Sequence, residues 1–305
     1  MSEEAIALHN ESLVVDLHSD TITLYVRHLK RNLAVERKPP GFFNPLRQHV
    51  DIPRAKKGGV NALGCGSVSF PRRMPDPVKP HLDTMEVARR VISENPDDLG
   101  LALAPDDIIQ HNSKGRIALF FGVEGAHALG GKIENLQRLF DSGLRYMTLS
   151  HFTSNEVTAC ATDKKTPGGL TEFGKDVVRE MNRLGMIVDC AHVNQDSILD
   201  VADITQKPFV FSHTGVRAGR DMWRNIGDEQ IQAVASTDGC IGIIFQPMFI
   251  EKKGIFGTAD RILDHMEHII ETVGDDHAAL GSDFDGFIAI PADLKDISQL
   301  PRLTH

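Results

Sequence analysis

Short apolar runs rich in valine and isoleucine recur along the chain, separated by stretches in which apolar residues return every three or four positions. The runs are typical of buried strands, and the periodic stretches are typical of amphipathic helices. Eight such runs lie at residues 13–17, 60–68, 117–123, 144–149, 186–190, 209–211, 240–245 and 278–282. Helical periodicity is clearest at residues 81–95, 133–142, 172–184, 197–204, 228–235 and 259–273. Strands that alternate with helices run parallel, so the pattern predicts a closed (β/α)8 barrel.

Two segments depart from this alternation. Residues 27–54 are polar and basic and contain turn signals such as Pro39-Pro40-Gly41, so we expect a lid-like insertion rather than a linker between domains. Residues 301–305 lie where the eighth helix should only begin, which predicts that this helix is truncated. Residues 1–305 are therefore predicted to form one barrel domain, a common size for this architecture.

Composition excludes several classes of function. The chain has 305 residues and a formal net charge of -9, which argues against nucleic acid or an anionic membrane surface as partner. An acidic start without a long apolar segment argues against a secretory signal and a membrane span. The four cysteines have no C-x-x-C spacing and are expected to be buried free thiols in a reducing compartment. The cytoplasm is the expected location.

Potential metal ligands follow most of the apolar runs. In a parallel barrel the carboxyl ends of the strands meet on one face, where active sites lie, so these side chains should converge. A single histidine at a strand end is more often an ordinary hydrogen-bonded residue, and His-x-Asp alone is a weak signal. Four histidines at strand ends, together with three carboxylates, favour a metal site. The strand-end residues are His18, Asp20, Glu124, His151, His192, His213 and Asp283.

The mixture of ligands suggests the metal and its chemistry. Imidazole and carboxylate together suit zinc, with manganese, iron or cobalt as alternatives. The number of ligands indicates two ions per chain, which need a bridge. No lysine occupies a strand end, so a carbamylated lysine cannot serve, and Glu124 is the best placed carboxylate. Two metals that share a water generate hydroxide at neutral pH and polarise a carbonyl or phosphoryl group. Asp283 then remains as a proton carrier, and His127 is expected to support Glu124.

Several motifs together resemble the membrane dipeptidase (renal dipeptidase) family of zinc peptidases, among the amidohydrolase-like barrels. The longest are Asp16-Leu17-His18-Ser19-Asp20, Gly122-Val123-Glu124-Gly125-Ala126-His127 and Gly281-Ser282-Asp283-Phe284-Asp285-Gly286. Shorter ones lie at residues 149–151, 182–185, 189–193, 211–213 and 224–225. They occur in family order over residues 13–298, nearly the whole chain.

The resemblance implies a role for each candidate residue. It places His18, Asp20 and a bridging Glu124 around one zinc ion. The second zinc ion would be held by Glu124, His192 and His213. His151 would bind the scissile carbonyl oxygen as negative charge develops on it.

The resemblance also implies how substrate is held and how a proton moves. Arg224 would pair with the terminal carboxylate of the substrate, a choice that the residues alone leave open between Arg224, Arg217 and Arg220. Asp283 would move a proton from the attacking water to the leaving amine, whereas Asp285 is expected only to stabilise its turn. These roles predict a dipeptidase that acts on small dipeptide substrates.

Three departures from the family pattern affect this prediction. Gln246-Pro247 stands where many members have a tyrosine, which puts substrate contacts there in doubt. Thr153 stands where secreted animal members have a cysteine. Without a signal peptide or an anchor tail, the membrane location of those members is not expected to transfer. The family's C-terminal helical segment is missing, which leaves barrel closure and a homodimer open. The alternatives are a related barrel hydrolase acting on N-acyl-D-amino acids or lactones, and a truncated member without catalytic activity.

Overall fold

The fold is described by a computed structural model. It describes residues 2–37, 48–72, 74–163, 165–166, 168–252 and 257–305. The turn signals of the predicted insertion, within residues 38–47, lie outside the described residues.

All nine strands of the described chain belong to one parallel sheet, and eight of them close into a barrel. The closing pairs join β1 to β9 at Asp16 and Leu280, and β2 to β4 from Ala62 opposite Ala118 to Val68 opposite Glu124. Each of the eight predicted strands is present, which confirms the predicted (β/α)8 barrel and its closure. The strands are β1 Val14–Ser19, β2 Val60–Val68, β3 Leu99–Leu101, β4 Ile117–Glu124, β5 Leu144–Thr148, β6 Ile187–Asp189, β7 Phe209–Thr214, β8 Ile241–Ile243 and β9 Ala278–Leu280.

The strand β3 was not predicted. Its three residues pair with residues 117–119 of β4, whereas β5 pairs with residues 121–124 of the same strand. It therefore extends the sheet beside the amino-terminal end of β4 without entering the barrel ring. The apolar run at residues 99–104 could have indicated this strand, but it is not among the eight runs that the prediction uses.

Helices connect the barrel strands, and all six predicted helices are present with ends within two residues of the prediction. Helix boundaries are uncertain to this extent in any case. The α-helices are α1 Glu3–Glu11, α2 Ile52–Lys57, α3 Lys79–Glu94, α4 Pro105–Asn112, α5 Glu134–Asp141, α6 Glu172–Leu184, α7 Gln195–Ile204, α8 Asp228–Ala235, α9 Pro247–Ile250, α10 Asp260–Val273 and α11 Pro301–Thr304. A π-helix spans Ile22–His28, and short 3-10 helices span Ala126–Leu129, Asp275–His277 and Ile297–Gln299.

Helix α6 shows how the sequence determines an element of the outer ring. The Thr171 side chain accepts a hydrogen bond from the Gly174 amide and so caps the first turn. Val177, Val178 and Met181 are buried on one face, as the helical periodicity predicts. Gly185 ends the helix in the left-handed conformation with φ of 76°.

The two ends of the described chain meet outside the barrel. At the position of the predicted eighth helix the structure has the short helix α11, which packs against α1. The His9 ring joins both ends, because its Nδ1 lies 2.8 Å from Thr304 Oγ1 and its Nε2 lies 2.8 Å from the Gly58 carbonyl. None of the helices among the described residues combines the length and apolar composition needed to span a membrane.

Candidate metal centre

The barrel brings all seven strand-end residues to its carboxyl-terminal face. His18 and His213 lie within the last residues of β1 and β7, and Glu124 is the last residue of β4. Asp20 follows β1 directly, while His151, His192 and Asp283 each lie three residues beyond β5, β6 and β9. Five of the seven are buried, and His192 and Asp283 are partly exposed to the cavity above the barrel.

The Glu124 carboxylate lies at the centre of the four histidines. Its Oε1 atom is 3.0 Å from His192 Nε2, 3.4 Å from His213 Nε2, 3.7 Å from His151 Nε2 and 3.8 Å from His18 Nε2. One oxygen atom is therefore within reach of imidazoles from both sides of the barrel mouth. A carboxylate in this position could bridge two ions.

Within the described chain, three groups of side chains place their ligand atoms within 4.8 Å of one another. The groups are Glu124 with His192 and His213, His18 with Asp20 and Glu124, and His18 with His213 and Asp283. In the second group His18 Nε2 lies 4.0 Å from Asp20 Oδ1, and neither atom has a hydrogen-bond partner in the described chain. Two buried polar atoms that face each other without a hydrogen bond fit two ligands of one cation.

Two glycines leave the room that these side chains occupy. A Cβ atom on Gly66 would lie 2.7 Å from the His18 ring and 2.9 Å from Asp20 Oδ1. A Cβ atom on Gly286 would lie 2.2 Å from Asp283 Oδ1. Any side chain at either position would therefore push a candidate ligand out of place.

The electrostatics of the cluster also favour cations. Burial, followed by the charge of Glu124, raises the pKa of Asp20 and of Asp283 well above the usual value of 3.8. Burial acts in the same direction on Glu124, but the charges of His151 and His18 and the hydrogen bond from His192 outweigh it and hold its pKa well below 4.5. Two buried carboxylates and a third at the cavity floor repel each other unless positive charge lies between them.

Two histidines of the cluster are oriented by side chains that sequence reasoning missed. Tyr146 Oη lies 3.2 Å from His18 Nδ1. Ser212 Oγ lies 2.9 Å from His213 Nδ1 and donates to Asp189 Oδ2 at 2.6 Å. Each contact engages the Nδ1 atom and leaves Nε2 directed at Glu124, which is the usual way that a protein orients a metal-binding histidine.

The position of Tyr146 depends on a glycine in the neighbouring strand. A Cβ atom on Gly122 would lie 2.3 Å from three atoms of the Tyr146 ring. Glycine at this position therefore lets the ring cross the barrel interior towards His18. The alternation of β5 could have indicated that Tyr146 points inward with Thr148, but not which side chain it contacts.

Among the three arginines considered above, only Arg224 lines the cavity over the cluster. Its guanidinium donates to the His213 carbonyl at 2.7 Å and to Thr214 Oγ1 at 3.2 Å, and burial lowers its pKa. Within the described residues it has no salt bridge to a carboxylate, whereas Arg217 pairs with Asp221. Arg224 is therefore the buried cation that faces the cavity.

Three further residues named in the sequence analysis are Asp285, His127 and Gln246. Asp285 also lines the cavity over the cluster, and its Oδ2 accepts a hydrogen bond from the Thr21 hydroxyl at 2.7 Å and its Oδ1 one from the His49 amide at 2.5 Å, so it links its loop to two distant segments of the chain. His127 lines a separate, larger and open cavity, and its Nε2 lies 3.1 Å from Thr153 Oγ1. Gln246 lines the cavity over the cluster, and its Oε1 has no hydrogen-bond partner within the described chain.

The cavity over the cluster has a volume of about 390 Å³. Its floor is formed by the candidate ligands, and its walls carry large apolar side chains from the loops that follow the strands. Those side chains include Phe70, Phe152, Trp223, Met248, Phe249 and Phe287. A volume of this size is that of a small-molecule site, with a few polar groups at the bottom of an apolar cleft.

Comparison with known proteins decides the family. The family model "Membrane dipeptidase (Peptidase family M19)" matches residues 2–305. The chain belongs to the membrane dipeptidase family. This membership makes it a metallo-dipeptidase, a hydrolase of peptide bonds, and confirms the resemblance seen in its motifs.

Two curated relatives of this chain come from Schizosaccharomyces pombe, and each is named an uncharacterized dipeptidase. One is 32% identical over 306 residues, covering 95% of this chain and 73% of the relative. The other is 34% identical over 224 residues, covering 73% of this chain and 55% of the relative. The chain thus spans only part of the length of each.

Solved structures share the fold. A metallopeptidase from Rhodobacter sphaeroides, liganded with a phosphinate mimic of the dipeptide L-Ala-D-Ala, has a TM-score of 0.82 and 23% identity, covering 95% of this chain and 91% of its own. The probable dipeptidase PvdM from Pseudomonas aeruginosa has a TM-score of 0.85 and 18% identity, covering 99% and 90%. At these identities the likeness establishes the barrel and no more.

Proposed function

We propose that the chain is a zinc-dependent dipeptidase that binds two zinc ions and hydrolyses the amide bond of dipeptides. The observation that carries the proposal is the Glu124 carboxylate, which belongs to two of the ligand groups at once. One ion would be held by His18, Asp20 and Glu124, and the other by Glu124, His192 and His213. Bound zinc would supply a nucleophilic water at neutral pH and polarise the scissile carbonyl group.

Arg224 would bind the carboxylate at the C-terminal end of the dipeptide. It is a buried cation at the cavity wall, and it lacks an ion pair among the described residues. A planar guanidinium can hold a carboxylate through two parallel hydrogen bonds. The phosphinate mimic of L-Ala-D-Ala bound to the Rhodobacter sphaeroides metallopeptidase supports a dipeptide as the class of substrate.

His151 would stabilise the carbonyl oxygen as it gains negative charge. Its Nδ1 lies 3.4 Å from the Ser69 carbonyl, and its Nε2 faces Glu124 across the cavity floor. Burial lowers the pKa of His151, and the charge of Glu124 opposes this effect. An imidazolium beside Glu124 would donate from Nε2 while Nδ1 keeps its contact with Ser69. A donor fixed before the reaction begins needs no reorganisation in the transition state.

Asp283 would carry the proton to the leaving amine. Its carboxylate shares one ligand group with His18 and His213 and also lines the cavity, so it would be within reach of both the nucleophile and the substrate. A carboxyl group at such a position contributes as a general base and then as a general acid.

Metal analysis and a dipeptide screen test the proposal together. We expect two zinc ions per chain, loss of activity with a chelator and recovery with zinc or cobalt. The screen should use L- and D-residues at the C-terminal position and include N-acyl-D-amino acids, because a free amino terminus is what distinguishes a dipeptide from these alternative substrates. Full activity of exhaustively demetallated protein would exclude the proposed mechanism, and hydrolysis of lactones alone would favour the related barrel hydrolases.

Three further predictions belong to the same proposal. Residues 1–305 would form a single domain with an insertion at about 27–54. The four cysteines are free thiols, which supports a reducing environment such as the cytoplasm. A homodimer would be tested by the mass of the protein in solution.

A further inference from the structure

We propose that two aromatic pairs at the mouth of the cavity select dipeptides with apolar side chains, one pair for each residue of the substrate. The pairs are Phe70 with Phe152 and Trp223 with Phe249. This inference rests on the proposed function, because it uses the positions proposed for His151 and Arg224. It goes further by assigning the class of side chain accepted at each position.

Large apolar side chains at this mouth remain exposed although they lie beside a cleft. The exposed fractions are 63% for Phe70, 53% for Phe152 and 43% for Trp223, and Phe287 on the same rim is 63% exposed. Isolated apolar side chains on a surface need no explanation, but a group of them around one cavity indicates a binding surface. The apolar side chain of a bound substrate would remove part of this area from water.

The first pair lies over His151. The rings of Phe70 and Phe152 stack with centroids 6.4 Å apart and planes at 18°, and the Phe152 ring centroid is 3.7 Å from that of His151. Phe152 also has a φ of 58°, a strained conformation for an aromatic residue that is seldom kept without a function. His151 would contact the carbonyl of the N-terminal residue, so this pair would contact the side chain of that residue.

The second pair lies beside Arg224. The rings of Trp223 and Phe249 meet edge to face with centroids 6.0 Å apart, and the Arg224 guanidinium carbon is 6.0 Å from the Phe249 centroid. Arg224 would hold the terminal carboxylate, which is attached to the same carbon atom as the C-terminal side chain. The Trp223 and Phe249 pair would therefore contact that side chain.

A set of four dipeptides separates the two positions. Ala-Ala, Leu-Ala, Ala-Leu and Leu-Leu are assayed on zinc-loaded protein as one set of four with L-residues, and a second set of four has a D-residue at the C-terminal position. We expect leucine at either position to raise kcat/KM by about tenfold or more, since a single methylene in an apolar pocket changes it by roughly 10–200-fold. Phe152→Ala should reduce the gain at the first position, and Trp223→Ala the gain at the second.

The ratio of kcat/KM between a leucine peptide and the matching alanine peptide is taken within each variant, so a general loss of activity does not affect the result. Phe152→Leu should keep most of the first gain, and Ile109→Ala, which removes a 57% exposed apolar side chain from α4, should change neither ratio. Equal rates for all four peptides in the unaltered protein, or equal effects of both variants on both positions, would overturn the inference. If no peptide is hydrolysed, the proposed function fails. The inference is then decided by calorimetry, which measures whether leucine at each position raises the affinity of the peptide and whether the variants reduce that gain.

Discussion

The contact between Tyr146 and His18 should control the affinity of one metal position and not of the other. Tyr146 is 3% exposed, and its hydroxyl lies 3.2 Å from Nδ1 of a histidine that is fully buried. Tyr146→Phe removes one oxygen atom and keeps the ring that fills the space next to Gly122. The change therefore tests the orientation of His18 without creating a large cavity.

The expected magnitude follows from what the substitution leaves behind. With Nε2 bound to zinc, the proton of His18 is on Nδ1, and in Tyr146→Phe this buried donor loses its acceptor. An unsatisfied buried donor costs about 1–3 kcal/mol. Loss of a group that orients a metal-binding histidine typically lowers metal affinity by about 10–100-fold. We therefore expect the affinity for the zinc ion held by His18, Asp20 and Glu124 to fall by about 10–100-fold.

Ser212→Ala provides the matched comparison. Ser212 links His213 to Asp189, so its loss should weaken the ion held by Glu124, His192 and His213. Zinc is titrated into each demetallated variant against a competing chelator, and circular dichroism checks that the fold is kept. Each variant should lower a different one of the two zinc affinities. Equal loss of both affinities in Tyr146→Phe, or no loss, would show that Tyr146 does not orient His18.

Three other predictions concern substrate binding, proton transfer and pH. Arg224→Lys keeps a cation but not two parallel hydrogen bonds, so KM should rise about tenfold, for a pair of roughly 1.5–3 kcal/mol, with kcat nearly unchanged. Asp283→Asn should lower kcat by about 10²–10⁴-fold with zinc content intact, and loss of zinc would make Asp283 a ligand instead. Burial lowers the pKa of His81 from 6.5 to about 4, so the unfolded chain takes up this proton at a higher pH than the folded chain. The free energy of unfolding should therefore fall by up to roughly 3 kcal/mol as the pH drops from about 6.5 to 4. In His81→Gln this part of the fall, measured from denaturation midpoints at each pH, should disappear.

The barrel and the convergence of the site could be predicted because both depend on local patterns. Each strand is a short apolar run, and a residue such as Glu124 at the end of a run must lie on the carboxyl-terminal face once the strands are parallel. His18 and Asp20 follow the same rule on β1. Nothing about distances was needed, only the order of runs and of the residues that end them.

The contacts that orient the site could not be predicted in this way. Tyr146 and His18 are 128 residues apart, and their contact depends on the size of Gly122 in a third segment. The choice of Arg224 over Arg217 likewise depends on which guanidinium turns into the cavity, a property of the loop after β7. A periodic pattern specifies the face of a strand, but it does not specify the neighbours that a side chain meets across the barrel.

Strain in the loops explains why these contacts matter to the site. Of the seven non-glycine residues with positive φ in the described chain, five lie in loops at the carboxyl-terminal face of the barrel. The five are Phe152, His192, Asp283, Asp285 and Phe287. Such conformations cost about 1–3 kcal/mol each and persist only where the surrounding structure determines them. His192, a proposed ligand, and Asp283, the proposed proton carrier, thus take their positions from backbone that the closed barrel and its hydrogen bonds hold in place.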